Sequence, residues 1–172
     1  VSKARALETV EALRERITVP LRLKVALTYP CQVFRPGQVA GLDDPLRPRA
    51  MHEVAALTGA EIVETGVEHE CCGSALYMSD EGLALAAGRR KLEASCAADV
   101  LVDACGNCHL LLERMQRAIW SGPANERLPV LFMPQLLGLA LGLAPEELGV
   151  SDRLACRIRA LAQRTTPGPP QK

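Results

Sequence analysis

Residues 99–108 read DVLVDACGNC, a short apolar run that ends on the first cysteine of a CxxC pair. An apolar run of this length is typical of a strand that is buried on both faces of a parallel sheet. We therefore predict a strand over residues 99–104 and a following helix, over residues 110–120, that the CxxC pair opens. Cys105 then lies at the carboxyl end of the strand.

Two more cysteine-bearing turns follow predicted strands. Residues 21–29 alternate between apolar and polar and then become apolar, which predicts a strand that is closed by Pro30 and Cys31. Residues 61–65 predict a second short strand. The turn-rich segment 66–73 follows it and contains an adjacent pair of cysteines.

The spacing of these cysteines predicts where they meet. Thirty-nine residues separate Cys31 from Cys71, and 32 separate Cys72 from Cys105. Each gap is about the length of one βαβ step, in which a crossover helix joins two parallel strands. Because the carboxyl ends of parallel strands share one edge of a sheet, we expect all five thiols to lie at successive turns along that edge. The five are Cys31, Cys71, Cys72, Cys105 and Cys108.

The rest of the chain fits an α/β fold. Strand and helix patterns alternate, which predicts a parallel sheet of about four strands with helices on both faces and the cysteine-bearing loops at the strand carboxyl ends. The remaining predicted elements are helices over residues 1–20, 49–58, 80–96, 135–143 and 151–164, a strand over residues 130–133, and a loop over residues 35–49. We divide the chain into an N-terminal helix (1–20), a cysteine-rich domain (21–150), a C-terminal helix (151–164) and a disordered tail (165–172).

Composition argues against several classes of partner. Lys plus Arg equals Asp plus Glu at 20 each, so the net charge is zero and no basic stripe indicates nucleic acid or an anionic membrane. The most apolar stretch, residues 128–144, is broken by Pro134 and Gln135 and falls short of a bilayer span. Seven cysteines in an apolar chain of this size, with no signal peptide, indicate reduced thiols and a cytoplasmic location.

The cysteine pattern indicates a metal or iron–sulfur site, although a buried cysteine can also be purely structural. Thiolates are soft ligands that select zinc, copper(I) or iron–sulfur clusters, and CxxC spacing lets two sulfurs from one turn reach one centre. Zinc needs four ligands, which leaves one cysteine over, and the side chains of a vicinal pair diverge. Both points favour a cluster, with zinc as the alternative. Cys96 and Cys156 fall outside the pattern and are predicted to be core residues.

Other interpretations explain fewer of these residues. Residues 105–109 match the CxxCH haem-attachment motif, and the CxxC also matches a thioredoxin-like dithiol, but either leaves three cysteines unexplained. His52 is predicted to be a surface or boundary residue. His69 and His109 lie beside the cysteines, where each is a candidate proton donor, a hydrogen-bond partner of the centre, or simply a packing residue.

The motifs Cys31, Cys71-Cys72-Gly73 and Cys105-x-x-Cys108 resemble the cysteine-rich CCG domain family. Arg-Pro at residues 35–36 and the run LPVLFMPQLLGLALGL at residues 128–143 are similar, within that family, to the C-terminal CCG domain of the heterodisulfide reductase B subunit. The resemblance covers roughly residues 21–150.

This resemblance implies an oxidoreductase subunit that acts on sulfur groups. In the family a complete motif holds a non-cubane [4Fe-4S] cluster, at which a disulfide is cleaved or formed, and the ligands implied here are Cys31, Cys71, Cys72, Cys105 and Cys108. The implied partners are a ferredoxin-like iron–sulfur subunit and a flavin-containing subunit. Related CCG domains occur in glycolate or lactate oxidase and quinone reductase complexes, and some hold zinc. The alternative is therefore a non-catalytic zinc-binding or electron-transfer module.

Two departures from the family pattern qualify what it implies. The family protein carries two CCG domains in tandem and this sequence carries one. A two-cluster mechanism would therefore need a second CCG domain, on a partner chain or in a missing N-terminal half. Gly106 and Asn107 stand where the family's CxxC often has proline and an aromatic residue. This difference bears on the substrate pocket more than on the ligands.

Overall fold

The computed structural model describes residues 3–41, 43–120, 123, 127–151, 154–158 and 160. Within these residues, one sheet contains four strands: β1 (Lys24–Thr28), β2 (Glu61–Val63), β3 (Val100–Asp103) and β4 (Val130–Phe132). Their order in the sheet is β2-β1-β3-β4, and every neighbouring pair is parallel. The predicted α/β fold with a parallel sheet of about four strands is confirmed.

The register brings the strand ends together at one edge. Thr28, the last residue of β1, pairs with Asp103, the last residue of β3, and Asp103 pairs in turn with Phe132 of β4. The central strands β1 and β3 are buried along nearly their whole length. Their apolar composition is what a strand covered on both faces requires.

Helices connect these strands. They are α1 (Lys3–Arg16), α2 (Cys31–Phe34), α3 (Gly37–Ala40), α4 (Ala50–Leu57), α5 (Glu81–Ala94), α6 (Gly106–His109), α7 (Gln116–Ile119) and α8 (Met133–Ala140), and residues 154–158 are also helical. Asp80 caps α5, because its Oδ1 accepts a hydrogen bond from the Leu83 N–H at 2.9 Å.

Two predicted elements differ from the structure. The stretch predicted as a loop over residues 35–49 contains α3, and Cys31 begins α2 instead of lying in an open turn. Prolines 30 and 36 precede these two helical turns, and a fixed φ favours the start of a helix. The single helix predicted after the CxxC is divided between α6 and α7 by a π-helical turn (Leu110–Arg114), where the Met115 N–H bonds to Leu110 O.

Helices cover both faces of the sheet, because alternate strand residues point to opposite sides. One face packs against α4, α8 and the helical residues 154–158 through Val25, Leu27, Val100, Val102, Leu131, Met51, Ala55, Leu136, Ala155 and Ile158. The other face packs against α5, α6 and α7 through Ala26, Leu101, Val130, Leu92, Leu111, Leu112 and Ile119. Cys72 and Cys108 belong to this second cluster, so the cysteine site is continuous with the core.

The apolar run at residues 128–144 forms β4 and α8 instead of a single long helix. None of the helices in the described part of the chain has the length and apolar character that crossing a bilayer demands. The predicted disordered tail, residues 165–172, lies outside the described residues, as does much of the predicted helix 151–164.

Candidate metal centre

Three neighbouring loops at the carboxyl edge of the sheet carry the five cysteines. Cys31 begins α2 just after β1, and Cys105 is the N-cap of α6 just after β3. Cys71 and Cys72 lie in the segment that follows β2. Because β1 lies between β2 and β3 in the sheet, the three loops are adjacent.

The five thiols are linked by pairwise interactions. Cys31 shares a hydrogen bond with Cys71, Cys108 shares one with Cys72 and another with Cys105, and Cys31 also interacts electrostatically with Cys72 and Cys105. Cys72 and Cys108 are buried, Cys31 and Cys105 are half-buried, and Cys71 is exposed. The group therefore extends from the core to the surface, and it has the soft donor chemistry that a metal or iron–sulfur centre requires.

Neighbouring thiols change one another's proton affinity. The hydrogen bond from Cys108 lowers the pKa of Cys72, against the opposing effect of burial, and the charge of Lys91 acts in the same direction. The same hydrogen bond and burial raise the pKa of Cys108. Burial and the nearby thiols also raise the pKa of Cys31. Within the buried pair, these interactions favour the thiolate, the form that binds metal, on Cys72 over Cys108.

Cys96 and Cys156 are free and exposed, so the prediction that they are core residues is wrong. Cys96 follows Ser95, the C-cap of α5, where the chain has left the helix face that packs on the sheet. Cys156 follows the buried Ala155 and lies on the outward side of the helical residues 154–158.

Gly73 lets the turn containing Cys71 and Cys72 lie directly on α5. Its φ is +92°, in the left-handed region, and a Cβ added there would come within 2.6 Å of Ala84 O. The Gly73 N–H also donates to Cys71 Sγ at 3.4 Å. On the facing helix, a Cβ added at Gly88 would meet Ile119 Cδ1 at 2.9 Å, whereas it would be in ordinary contact with Cys72 O at 3.7 Å. A side chain at Gly73 would push the paired cysteines away from the helix.

Lys91 is a functional candidate that the sequence analysis missed. It is 1% exposed, and its Nζ donates to Val67 O and, at 3.3 Å, to Glu68 O, in the segment before the paired cysteines. Burial lowers its pKa, and the nearby thiols Cys108 and Cys72 oppose that effect. A signal was present, because position 91 lies on the same face of α5 as the buried residues 84, 88 and 92.

Asp103 and His109 form a second polar pair beside the thiols. Asp103 is fully buried at the end of β3, and its Oδ2 lies 3.1 Å from His109 Nδ1. The His109 ring stacks on Phe132, with centroids 4.0 Å apart. Burial raises the pKa of Asp103, and the bond to His109 opposes this. The carboxylate orients the imidazole and leaves Nε2 available. Asp103 was not singled out in the sequence, because it ends a buried strand.

The other two histidines pack around Tyr29. His69 contacts the Tyr29 ring edge-on with centroids 4.9 Å apart, burial lowers its pKa, and it lines a small pocket together with Cys31. His52 is buried, so its predicted surface or boundary position is wrong. The Tyr29 hydroxyl lies 2.5 Å from His52 Nδ1 and accepts from the His52 N–H, which anchors the histidine in the interior.

The donor set fits a metal or iron–sulfur cofactor in its chemistry, since three adjacent loops supply five soft sulfur donors that interact in pairs. Within the described ranges, no three Cys, His, Asp or Glu side chains are arranged as a finished site for a single metal ion.

Comparison with known proteins assigns this arrangement to a family. Residues 25–113, which span β1 through most of the π-helical turn, match the cysteine-rich CCG domain. The chain belongs to the CCG cysteine-rich domain family. The predicted membership is therefore confirmed.

The similar proteins are named as parts of redox complexes. The chain is 38% identical over 165 residues to the B subunit of the ferredoxin:CoB-CoM heterodisulfide reductase of Methanosarcina mazei, covering 89% of this chain and 53% of the relative. It is 34% identical over 163 residues to the B subunit of the ferredoxin/F(420)H(2)-dependent CoB-CoM heterodisulfide reductase of Methanosarcina acetivorans, with the same coverage. It is 32% identical over 151 residues to the 8-methylmenaquinol:fumarate reductase membrane anchor subunit of Wolinella succinogenes, covering 86% of this chain and 53% of the relative. The chain thus spans about half the length of each.

Proposed function

We propose that this chain is an iron–sulfur redox subunit, or part of one, of a heterodisulfide-reductase-like complex in the cytoplasm. The observation that carries the proposal is the position of five pairwise-interacting thiols on three adjacent loops at one sheet edge. The names of two relatives, both B subunits of heterodisulfide reductases, support the reaction class. All seven cysteines are free, as a reducing compartment would keep them.

Five cysteines would hold the centre: Cys31, Cys71, Cys72, Cys105 and Cys108. We propose a non-cubane [4Fe-4S] cluster, because the two adjacent cysteines, Cys71 and Cys72, have different surroundings. Cys72 is buried with Cys108, whereas Cys71 is exposed and contacts Cys31. Separate iron atoms suit sulfurs arranged in this way better than one small ion does. When bound, such a cluster would supply single electrons and an iron atom that can hold a substrate sulfur.

The chain's own contribution to disulfide cleavage would be proton delivery. Reducing a disulfide to two thiols consumes two electrons and two protons. His109 is the better placed donor, since the Asp103 carboxylate holds its Nδ1 and directs Nε2 elsewhere. His69, which lines the pocket beside Cys31, is the second candidate.

His109→Gln is expected to lower disulfide turnover by about 100-fold, a common loss when a general acid is removed. Its iron content should remain that of wild type, because glutamine leaves the thiols untouched. Turnover would be measured with the CoB–CoM heterodisulfide and a reduced low-potential dye. His69→Gln and the double variant complete the set, and wild-type turnover in the double variant would contradict both roles.

Partner subunits would cover the cysteine edge. Large apolar side chains that belong to the cysteine-bearing loops or follow them closely are exposed there: Val33, Val39, Leu46, Leu76, Met78 and Leu110. Exposed apolar residues grouped around a site mark an interaction surface. We propose a ferredoxin-like iron–sulfur subunit and a flavin-containing subunit as electron donors, with a second CCG domain as a further neighbour. Nucleic acid is not among the proposed partners, because the net charge is zero.

A second candidate is a non-catalytic module that transfers electrons or binds zinc. The similarity to a subunit of a fumarate reductase favours electron transfer, because that relative's name includes no sulfur substrate. On this proposal the same five cysteines organise a larger oxidoreductase, and His109 and His69 have no proton to deliver.

Metal analysis of anaerobically purified protein tests both candidates. About four irons with acid-labile sulfide per chain would support the cluster, and one zinc would support the zinc module. A disulfide-dependent oxidation of the reduced centre, followed in a single turnover, then separates catalysis from electron transfer. A colourless, metal-free protein that folds normally would contradict both candidates.

A further inference from the structure

We propose that the Lys91 ammonium is a built-in counter-charge for the metal–thiolate centre, and that it strengthens metal binding and raises the reduction potential of the centre. This inference rests on the proposed function in one respect, that the five cysteines hold a metal centre. Lys91 would act through the sulfurs, so it is a positioning residue and not a catalytic one.

The fold places Lys91 next to the buried thiols. Helix α5 packs against the turn with the paired cysteines at Ala84, Ala87 and Gly88, and Lys91 lies about one helical turn beyond Gly88 on the buried face. Its Nζ then bonds to two carbonyls of the segment that leads into Cys71. Side chain and turn are thus held together, with almost no access to water.

The charges around Lys91 favour the thiols as its counter-ion. Its ammonium interacts electrostatically with Cys108 and Cys72 and also with Glu70 and Glu68. Glu68 is already engaged, since its Oε1 accepts from the backbone N–H groups of Thr65 and Gly66.

Glu70 is engaged as well, at the surface. Arg90 holds it through two hydrogen bonds of 2.7 and 2.9 Å. Carbonyl oxygens solvate an ammonium but do not neutralise it. Thiols that bind a metal are deprotonated, so Cys72 and Cys108 in the proposed centre would supply buried negative charge near Lys91.

Electrostatics then determines the direction of the effects. A metal held by four or five thiolates carries net negative charge, and a cation fixed nearby in a low-dielectric interior attracts it strongly. Adding an electron makes the centre more negative. A fixed positive charge therefore favours the reduced state, which is a higher reduction potential.

The test compares Lys91→Met with Arg90→Gln in the purified protein. Methionine keeps an unbranched chain of similar length and removes the charge without opening a large cavity. Arg90 is the matched control, because it is the preceding residue of the same helix and carries the same charge, but its side chain is exposed and screened by solvent. Lys91→Gln serves as a second variant should the methionine protein fold poorly.

Each protein is loaded with the metal that the wild type holds, and three quantities are measured; the reduction potential is among them only where that metal is iron, because zinc has no redox chemistry. Competition with a chelator should show about tenfold weaker retention in Lys91→Met. A redox titration followed by electron paramagnetic resonance should show a lower reduction potential in Lys91→Met. At the wild-type midpoint potential, the ratio of oxidised to reduced centre should be about tenfold higher in the variant, which corresponds to a 59 mV fall for a one-electron couple. The rise in melting temperature that the metal produces should shrink. Arg90→Gln should match wild type in all three.

A structural lysine would give a different result. If Lys91 only holds the turn, its replacement lowers the melting temperature equally with and without metal and leaves retention and potential unchanged, which would overturn the proposal. If neither Lys91 variant folds without metal, Lys91 is a structural residue, and this outcome also overturns the proposal. If the wild type binds neither iron nor zinc, both the proposed function and this inference are wrong. If the wild type binds metal and the Lys91 variants keep its metal retention and reduction potential, only this inference is wrong.

Discussion

Replacing Cys72 or Cys108 with serine is expected to remove the metal centre. The two thiols are buried, hydrogen-bonded to each other and continuous with the core, so no solvent molecule or other side chain can easily take their place. Serine has almost the same shape but offers a hard oxygen of high pKa. Metal retention should fall by more than about 100-fold, which is the upper end of what changes outside the ligand shell cost. Iron, sulfide and zinc analysis measures the loss.

The exposed cysteines supply the control for that experiment. Cys96→Ser and Cys156→Ser make the same chemical change outside the site and should keep the full metal content. Single serine variants of all five site cysteines also separate the two kinds of centre. Zinc requires four ligands, so one of the five replacements would be tolerated, whereas a cluster with five ligands is altered by each of them. Full retention in Cys72→Ser and Cys108→Ser would contradict the assignment of the site.

Gly73→Ala is expected to destabilise the protein by about 2–5 kcal/mol, a large part of the stability of a typical domain. Two costs add up at this position. The left-handed φ of +92° disfavours any side chain, and the new Cβ would meet a backbone oxygen of α5 at 2.6 Å. Urea denaturation measures the loss, and a decreased metal content should accompany it because the paired cysteines move away from the helix.

Gly66→Ala measures the cost of the left-handed backbone conformation without the steric clash. Gly66 also has a left-handed φ, +76°, but an added Cβ would meet nothing within 4 Å. Its replacement should cost only about 1–2 kcal/mol, which is the cost of the backbone conformation alone. Equal losses in the two variants would show that the close approach to α5 is not what makes Gly73 necessary.

The fold was predictable to the extent that it depends on local patterns. The strands at residues 99–104 and 21–29 were found because parallel strands buried on both faces are apolar throughout. Their predicted bounds are too long. Leu21 and Leu23, which precede β1, are also buried. The Leu21 N–H donates to Thr58 O, and Leu23 O accepts from the Glu61 N–H, and neither residue belongs to the regular strand pairing. The sequence thus indicates burial more clearly than it indicates strand pairing.

The polar parts of the site depend on contacts between distant segments. Lys91 is buried because two carbonyls 23 and 24 residues earlier in the chain accept its hydrogen bonds. His52 is buried because Tyr29, 23 residues earlier, offers a hydroxyl. A periodic pattern shows which face a residue occupies, but it does not show whether a hydrogen-bond partner lies there. The cysteines were predictable because their chemistry and their positions at strand ends both appear in the sequence.

The strand order determines when the five thiols can meet during folding. Pairing of β1 with β3 joins residues 75 positions apart, and it lies between the pairs β2–β1 and β3–β4. A chain that has left the ribosome only as far as β2 and its following loop offers Cys31, Cys71 and Cys72, and the last two thiols arrive with the slow, long-range closure of the sheet. A metal that needs all five sulfurs binds only the finished fold and stabilises it by mass action. Uptake of the metal would therefore follow the pairing of β1 with β3, because Cys105 and Cys108 come after β3 in the chain.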